Sequence, residues 1–479
     1  MGRFVLEFVV FVCGAAVMVF ELTGSRVLAP YMGTSIFVWA GLIGVILGSL
    51  SVGYWSGGRL ADRRPSGQAL SRVILAAAVL IAASAIAKRG LLLWLLARVP
   101  DLRWRSILAS AALFSLPSVL LGMVSPYAAR LRLKTLAATG KTVGNLYAIS
   151  TLGSIAGTFL AGFFLIPHFG STRILYILAG TLAATSILLV PRRRVLVNGV
   201  ALAVVALLGW RTAESGSIKV ETMYNSVWIG DYQDPRNGRM VRVMSLNSQS
   251  SSKMFVDSDE PVEEYTKYYN LAAHFSPGFH SALMIGGAGY SYPREYLRRF
   301  PGATIDVVEI DPKVTELARA YFRLEDDPRL GIYHQDARIF LNETAKKYDL
   351  FFGDAFQATF SVPFHLTTRE TAERIYGLLP DNGVVILNTI SSIEGRGGKF
   401  LRALFVTYRE VFPQVYLFPV GDPAEGGRVQ NVMLVALKTR TPPAFHSDDP
   451  ELERYLAHRW TPEVPADVPP LTDDHAPVE

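Results

Sequence analysis

Apolar residues fall along this chain in two regimes. Up to about residue 210 they form unbroken runs, at about 4–20, 36–57, 106–125, 144–167 and 172–191, with shorter ones at about 73–87 and 195–210. About twenty apolar residues in helical form cross a bilayer core, so these runs predict six or seven membrane spans. The stretch 88–99 is a candidate for a further crossing. Beyond residue 210 the pattern shortens. Alternating segments, Lys219 to Ile229 and Met240 to Leu246, flank the turn Pro235-Arg-Asn-Gly238 and predict a β-hairpin. A helix is expected over 261–275. Then come short apolar runs bounded by turn residues: one from Leu283, Ile305 to Asp311, one ending at Tyr333, and Tyr348 to Asp354. Helical periodicity over 367–379 and 397–411, with strands near 384–388, 414–419 and 431–437, completes about seven strands joined by crossover helices. The fold class is thus a multi-span α-helical membrane domain (1–210), a small β-hairpin subdomain (211–260) and an open α/β domain (261–445). A polar, proline-rich tail (446–479) follows.

Composition supports that split. Half of the 479 residues are hydrophobic and only 18% are charged, low for a wholly water-exposed protein. The net charge of +6 sits largely in short basic loops of the first half. These follow the second run (Arg59, Arg63, Arg64, Arg72), the fourth (Arg130, Arg132, Lys134, Lys141) and the sixth (Arg192, Arg193, Arg194). Such loops are topology signals that face the cytoplasm, which places the N-terminus inside and gives no reason to invoke nucleic acid. The expected location is a bacterial-type inner membrane, with the side of the C-terminal half left open by the doubtful run at 195–210. The first run carries no small-residue cleavage site and is expected to stay in place. One cysteine, Cys13, rules out an intrachain disulfide framework and a thiolate metal site.

Small residues four apart, Gly41, Gly44 and Gly48, then Gly153, Gly157 and Gly162, predict close helix packing. Glu21 and Arg26, near a span end, are expected to form an interfacial ion pair.

The chemistry concentrates between Leu283 and Phe356. The first strand runs into Gly286-Gly-Ala-Gly289, a turn whose backbone passes close to a ligand without side-chain interference. Glu309 ends the second strand, where a carboxylate accepts ribose hydroxyls, with Asp311 just beyond. Asp336 and Ala337 end the third, where an adenine amino group is held. Asp354 ends the fourth and points into the same crevice, where it binds or deprotonates an amine. Each acid alone is as well explained as a helix N-cap. Tyr290, Ser291 and Tyr292 follow Gly289 and no third glycine opens the helix, so the turn is not a pyrophosphate loop. A nucleoside without a pyrophosphate, such as S-adenosylmethionine, fits better.

At these residues the chain resembles the spermidine synthase superfamily, and within it the membrane-fused spermidine synthase-like proteins. The likeness extends to Glu21-Leu-Thr-Gly-Ser-Arg-Val-Leu-Ala-Pro-Tyr31, Gly53-Tyr-Trp-Ser-Gly-Gly-Arg-Leu-Ala-Asp-Arg63, Asn145-Leu-Tyr-Ala-Ile-Ser-Thr-Leu-Gly-Ser154 and Pro363-Phe-His-Leu-Thr-Thr-Arg-Glu370. The resemblance implies a Rossmann-like domain that takes decarboxylated S-adenosylmethionine or S-adenosylmethionine as co-substrate, with no metal. It implies aminopropyl transfer to a small-molecule amine, and leaves room for a homodimer. Glu309 then corresponds to the ribose-binding acid, Asp336 to the adenine-side acid and Asp354 to the catalytic aspartate. Tyr265 or Tyr268 corresponds to the tyrosine that positions the amine. Gln249 corresponds to the glutamine beside the substrate channel, and His365 is a candidate general base or helix cap.

Two positions depart from the family pattern. Gly289 stands where soluble members carry an aspartate that handles the donor's cationic tail. Gln357 stands where they carry a second acid. Asp257, Asp259, Glu260, Glu263 and Glu264 could compensate, or could simply form a solvated acidic face. Methyl transfer to a hydrophobic or lipid-linked acceptor is the alternative reaction, and a ligand-sensing or transport protein the alternative class.

Overall fold

The computed structural model describes residues 3–33, 35–133, 139–190, 203–204, 218–247, 249–355 and 363–477. The run at 195–210 lies outside these but for two residues, as does Gln357. The chain divides into two units, Met1–Ser226 and Val227–Glu479.

The first unit is helical: α1 (Arg3–Met32), α2 (Ile36–Arg63), α3 (Gly67–Arg98), α4 (Leu102–Gly122) running on into α5 (Val124–Arg132), α6 (Thr139–Phe159) and α7 (Ser171–Ile187). Among the described residues five helical stretches are long and apolar enough to cross a membrane, and α7 is a shorter apolar helix. The stretch 88–99 adds no crossing of its own, because α3 is unbroken from Gly67 to Arg98 and takes in the run at 73–87 as well. Polar side chains start the helices. Ser35 accepts from Val38 N, Ser66 from Ala69 N, and Asp101 from Arg103 N and Trp104 N, meeting amides that lack an intrahelical partner.

Glycine decides how closely these helices approach. A Cβ on Gly53 would lie 2.3 Å from the Val119 carbonyl oxygen, one on Gly153 2.1 Å from that of Phe11, and one on Gly157 2.4 Å from that of Ala15. The expected small-residue packing therefore describes α1 against α6 and α2 against α4. Gly44, Gly48 and Gly162 instead meet no atom within 4 Å. Arg26 donates to the backbone carbonyls of Met223 and Tyr224, partners that sequence spacing does not suggest.

The second unit begins with an antiparallel meander of β2 (Ser226–Gln233), β3 (Met240–Leu246) and β4 (Gln249–Phe255), after the short β1 (Ile218–Glu221) that closes the first. The β2–β3 hairpin pairs Val227 with Leu246 and Gln233 with Met240. β4 was not expected. The stretch 261–275 is two short helices, α8 (Glu264–Tyr268) and α9 (Leu271–Phe275), not one.

A seven-stranded sheet follows: β5 (Ser281–Ile285), β6 (Thr304–Val308), β7 (Leu330–Tyr333), β8 (Leu350–Gly353), β9 (Val384–Ser391), β10 (Gln414–Pro419) and β11 (Gln430–Leu437), in the order β10-β11-β9-β8-β5-β6-β7. β5 pairs in parallel with both β6 and β8, while β11 runs antiparallel to β9 and β10. Strand order reverses at β5, which opens a crevice at the carboxyl ends of β5, β6 and β8. Residues 446–479 do more than trail. Asp449 caps the helix α15 (Pro450–Ala457), Tyr455 and Leu471 are fully buried, and Asp467 pairs with buried Arg402 at 2.6 Å. The few apolar residues of this polar stretch are the ones that pack.

Candidate active site

Backbone conformation shapes the glycine turn. Gly286 has a φ of +92°, open to glycine without strain, and a Cβ there would press on the backbone of Asp354 at 3.2 Å. Tyr290, left-handed at φ 55°, precedes α10 (Ser291–Arg299), and its buried hydroxyl meets Thr315 Oγ1 at 2.8 Å.

Glu309, just past β6, holds this turn. Its Oε2 accepts from Gly287 N at 2.9 Å and Ala288 N at 3.1 Å, and its Oε1 from Asp311 N at 3.0 Å. A carboxylate has about four lone-pair sites, so one direction on Oε1 stays available for a ribose hydroxyl. Burial raises the Glu309 pKa, and the three backbone amides oppose that rise.

Asp354 leaves β8 between two orienting groups. Tyr265 donates to its Oδ2 at 3.2 Å and Asn388 donates to its Oδ1 at 3.0 Å. Tyr269 lies beside them, its hydroxyl donating to Gly353 O at 3.2 Å. Burial first, and then the Asp354 charge, hold Tyr269 far above the ordinary tyrosine range, so it stays a donor. Neither Asn388 nor Tyr269 was expected. Their signal, an asparagine within the largely apolar β9 and a tyrosine just past α8, is plain only once the elements pack.

The other acids sit at helix starts. Asp336 Oδ1 accepts from Arg338 N and Ile339 N and caps α12 (Ala337–Glu343), while its Oδ2 faces His365 Nε2 at 3.6 Å. Asp311 caps α11 (Pro312–Tyr321) through Lys313 N. His365 thus partners Asp336, and its carbonyl accepts from Arg338 and Thr371. Tyr268 points elsewhere: its hydroxyl meets His458 Nδ1 at 2.9 Å and its ring packs tilted against that of Tyr455. Of the two tyrosines, only Tyr265 is joined to Asp354 by a hydrogen bond. Gln249 opens β4 and is not among the described residues lining the cleft.

That cleft is walled by Ser252, Lys253, Glu263, Tyr265, Gly287 and Asp354, among others. Ser252 fills the space beside Gly289: its Oγ accepts from Gly289 N at 2.9 Å, and a Cβ on Gly289 would strike Ser252 Cβ at 2.7 Å. Of the five candidate acids, only Glu263 lines the cleft, paired with Lys253 at 2.6 Å. Asp257 and Glu260 pair with Arg239, Asp259 with Arg294 and Arg323, and Glu264 with Lys267 and Arg454. Among the described residues no group of three metal-ligating side chains occurs.

The arrangement brings together a glycine turn gripped by Glu309 and, at the end of β8, the carboxylate of Asp354 oriented by Tyr265 and Asn388. The chain is similar to known proteins over this region. The spermine/spermidine synthase domain matches residues 264–434. The polyamine aminopropyltransferase of Vibrio vulnificus is 32% identical over 226 residues, 45% of this chain and 71% of the relative. Polyamine aminopropyltransferase 1 of Streptomyces coelicolor is 26% identical over 420 residues, covering 80% of this chain and 76% of its own. A probable spermidine synthase of Corynebacterium glutamicum aligns in structure over 50% of this chain and 86% of its own, with 23% identity and a TM-score of 0.42.

Proposed function

Because this chain belongs to the polyamine aminopropyltransferase family, we propose that it moves the carbon chain of a sulfonium nucleoside, S-adenosylmethionine or its decarboxylated form, onto an amine. The observation that carries this reading is Asp354, held by Tyr265 and Asn388 at the mouth of the crevice. With one oxygen turned to each, the carboxylate is fixed before substrate arrives, which lowers the cost of reaching a reactive geometry. Asp354 binds the ammonium form of the acceptor, takes its proton and leaves the nitrogen lone pair aimed at the carbon bonded to sulfur. The new C–N bond forms as the C–S bond breaks. Its electron pair returns to sulfur, and neutral methylthioadenosine leaves. Glu309 and the Gly286–Gly289 turn hold the nucleoside, with the free lone pair of Oε1 for a ribose hydroxyl. Asp336 stands at the adenine end, with His365 as its neighbour and not as base to the amine.

The helical unit is read as a membrane anchor. Its outward surface carries exposed Trp55, Trp94 and Trp104 with Arg59 over the Trp55 ring, amphipathic rings of the kind that settle at a membrane interface.

The test is turnover of the purified full chain with either donor and putrescine. Methylthioadenosine release is expected. Asp354→Asn should cut the rate by roughly 10²–10⁴ while changing donor affinity only a few-fold. Release of S-adenosylhomocysteine would assign methyl transfer instead.

A further inference from the structure

Asp354 is one of three charged side chains among the described residues of the cleft wall; the other two are Lys253 and Glu263. Asp354 is directed at Tyr265 and Asn388, on the amine side. Lys253 and Glu263 form their own pair at 2.6 Å, both about three-quarters buried. Their place beside the nucleoside turn is set by backbone stitching. Gly289 N donates to Ser252 Oγ, and Ser291 Oγ donates to the Lys253 carbonyl at 3.3 Å, so the C-terminal end of the turn is tied to β4 at and beside Lys253.

We infer that the Lys253–Glu263 pair reads the amino-acid end of the donor, so that the donor carries its α-carboxylate. This rests on the sulfonium-nucleoside reading above and narrows its substrate to S-adenosylmethionine itself. An adjacent cation and anion are complementary to a zwitterion: the α-carboxylate meets the Lys253 ammonium, and the α-ammonium meets the Glu263 carboxylate. A decarboxylated tail brings an ammonium alone. To meet Glu263 it must strip Lys253 of its anion in a part-buried cleft, and position 289 offers no acid in exchange, because Ser252 occupies the space a side chain needs. The group passed to the amine is then the whole aminocarboxypropyl chain. The amine nitrogen bonds to the carbon next to sulfur, the C–S electron pair stays on sulfur, and the amine's proton goes to Asp354.

Calorimetric titration of the full-length protein with S-adenosylmethionine, its decarboxylated form and methylthioadenosine separates the outcomes. The expected result is binding of all three, with S-adenosylmethionine at least tenfold tighter than the decarboxylated form. In Lys253→Met that preference should vanish while methylthioadenosine affinity stays within about twofold. Mass analysis of the acceptor should show a product bearing one added carboxyl group. Equal or tighter binding of the decarboxylated form by the unaltered protein overturns the inference and leaves the nucleoside site standing. Equal weakening of all three ligands in Lys253→Met also overturns it, marking a structural lysine. Binding of none of the three by the unaltered protein overturns the site assignment together with the inference.

Discussion

A single missing Cβ separates this cleft from one that could hold an acid at position 289. The space is taken by Ser252, whose Oγ accepts from the Gly289 amide and whose Cβ lies 2.7 Å from where a side chain would begin. Gly289→Asp should therefore lower the unfolding free energy by about 1–3 kcal/mol, the usual cost of overpacking a well-filled site, measured by chemical denaturation. Adding Ser252→Gly should recover part of that loss; no loss in the single variant would show that the turn yields freely. At this scale the sequence located the strand-end acids and said less about their partners. Glu309, Asp336 and Asp354 were legible because each ends an apolar run. That Asp336 and Asp311 cap helices, that Tyr265 and not Tyr268 reaches Asp354, and that Glu309 grips the turn it follows depend on side-chain direction. A one-residue offset on a helix turns such a direction by about 100°.

Elements were legible wherever burial imposed a clear period. Strands β5, β6, β8 and β9 are largely buried on both faces and read as mainly apolar runs, as expected of a covered sheet, while the edge strand β7 is part-exposed. β4 escaped because Gln249-Ser-Ser-Ser-Lys-Met-Phe255 is mostly polar; it is a strand through pairing with β3 and contact with the glycine turn. The meander it completes is pinned by a cross-strand ion pair. Asp231 and Arg242 stand opposite each other, joined by two hydrogen bonds of 2.8 Å. Those hydrogen bonds hold the Asp231 carboxyl below its ordinary value of 3.8, partly offset by burial. A depressed carboxyl stabilises the fold above the unfolded pKa, and that share is lost as pH falls through the folded one. Both side chains are about one-third exposed, so solvent screening limits the pair to about 0.5–1 kcal/mol. Asp231→Asn should show that loss at neutral pH, converging with the unaltered protein in acid titrations of stability. Parallel curves at every pH would remove Asp231 from the account.

For the whole molecule, the number of crossings sets the topology. Where the five long apolar stretches and the shorter α7 all cross a bilayer, the chain returns to the side on which it started. The basic ends of α2 (Arg63) and α5 (Arg130, Arg132) fall on that same side. A C-terminal green fluorescent protein fusion expressed in a bacterium should fluoresce and a C-terminal alkaline phosphatase fusion should be inactive; active phosphatase would mean an odd number of crossings, either because α7 stays on one side or because a further crossing follows it. The sequence by itself determined the division into an apolar helical half and an α/β half, the order of the sheet's strands along the chain, and the acids at their ends. Those features follow from local periodicity and from residue types whose chemistry does not depend on neighbours. Only the tertiary structure decided which glycines touch a neighbouring helix, and that Ser252 leaves no room at Gly289. It also decided that Lys253 and Glu263 pair in the cleft wall. The reason is physical: these are contacts between elements distant in sequence, fixed by packing and strand pairing, and no spacing along the chain encodes them.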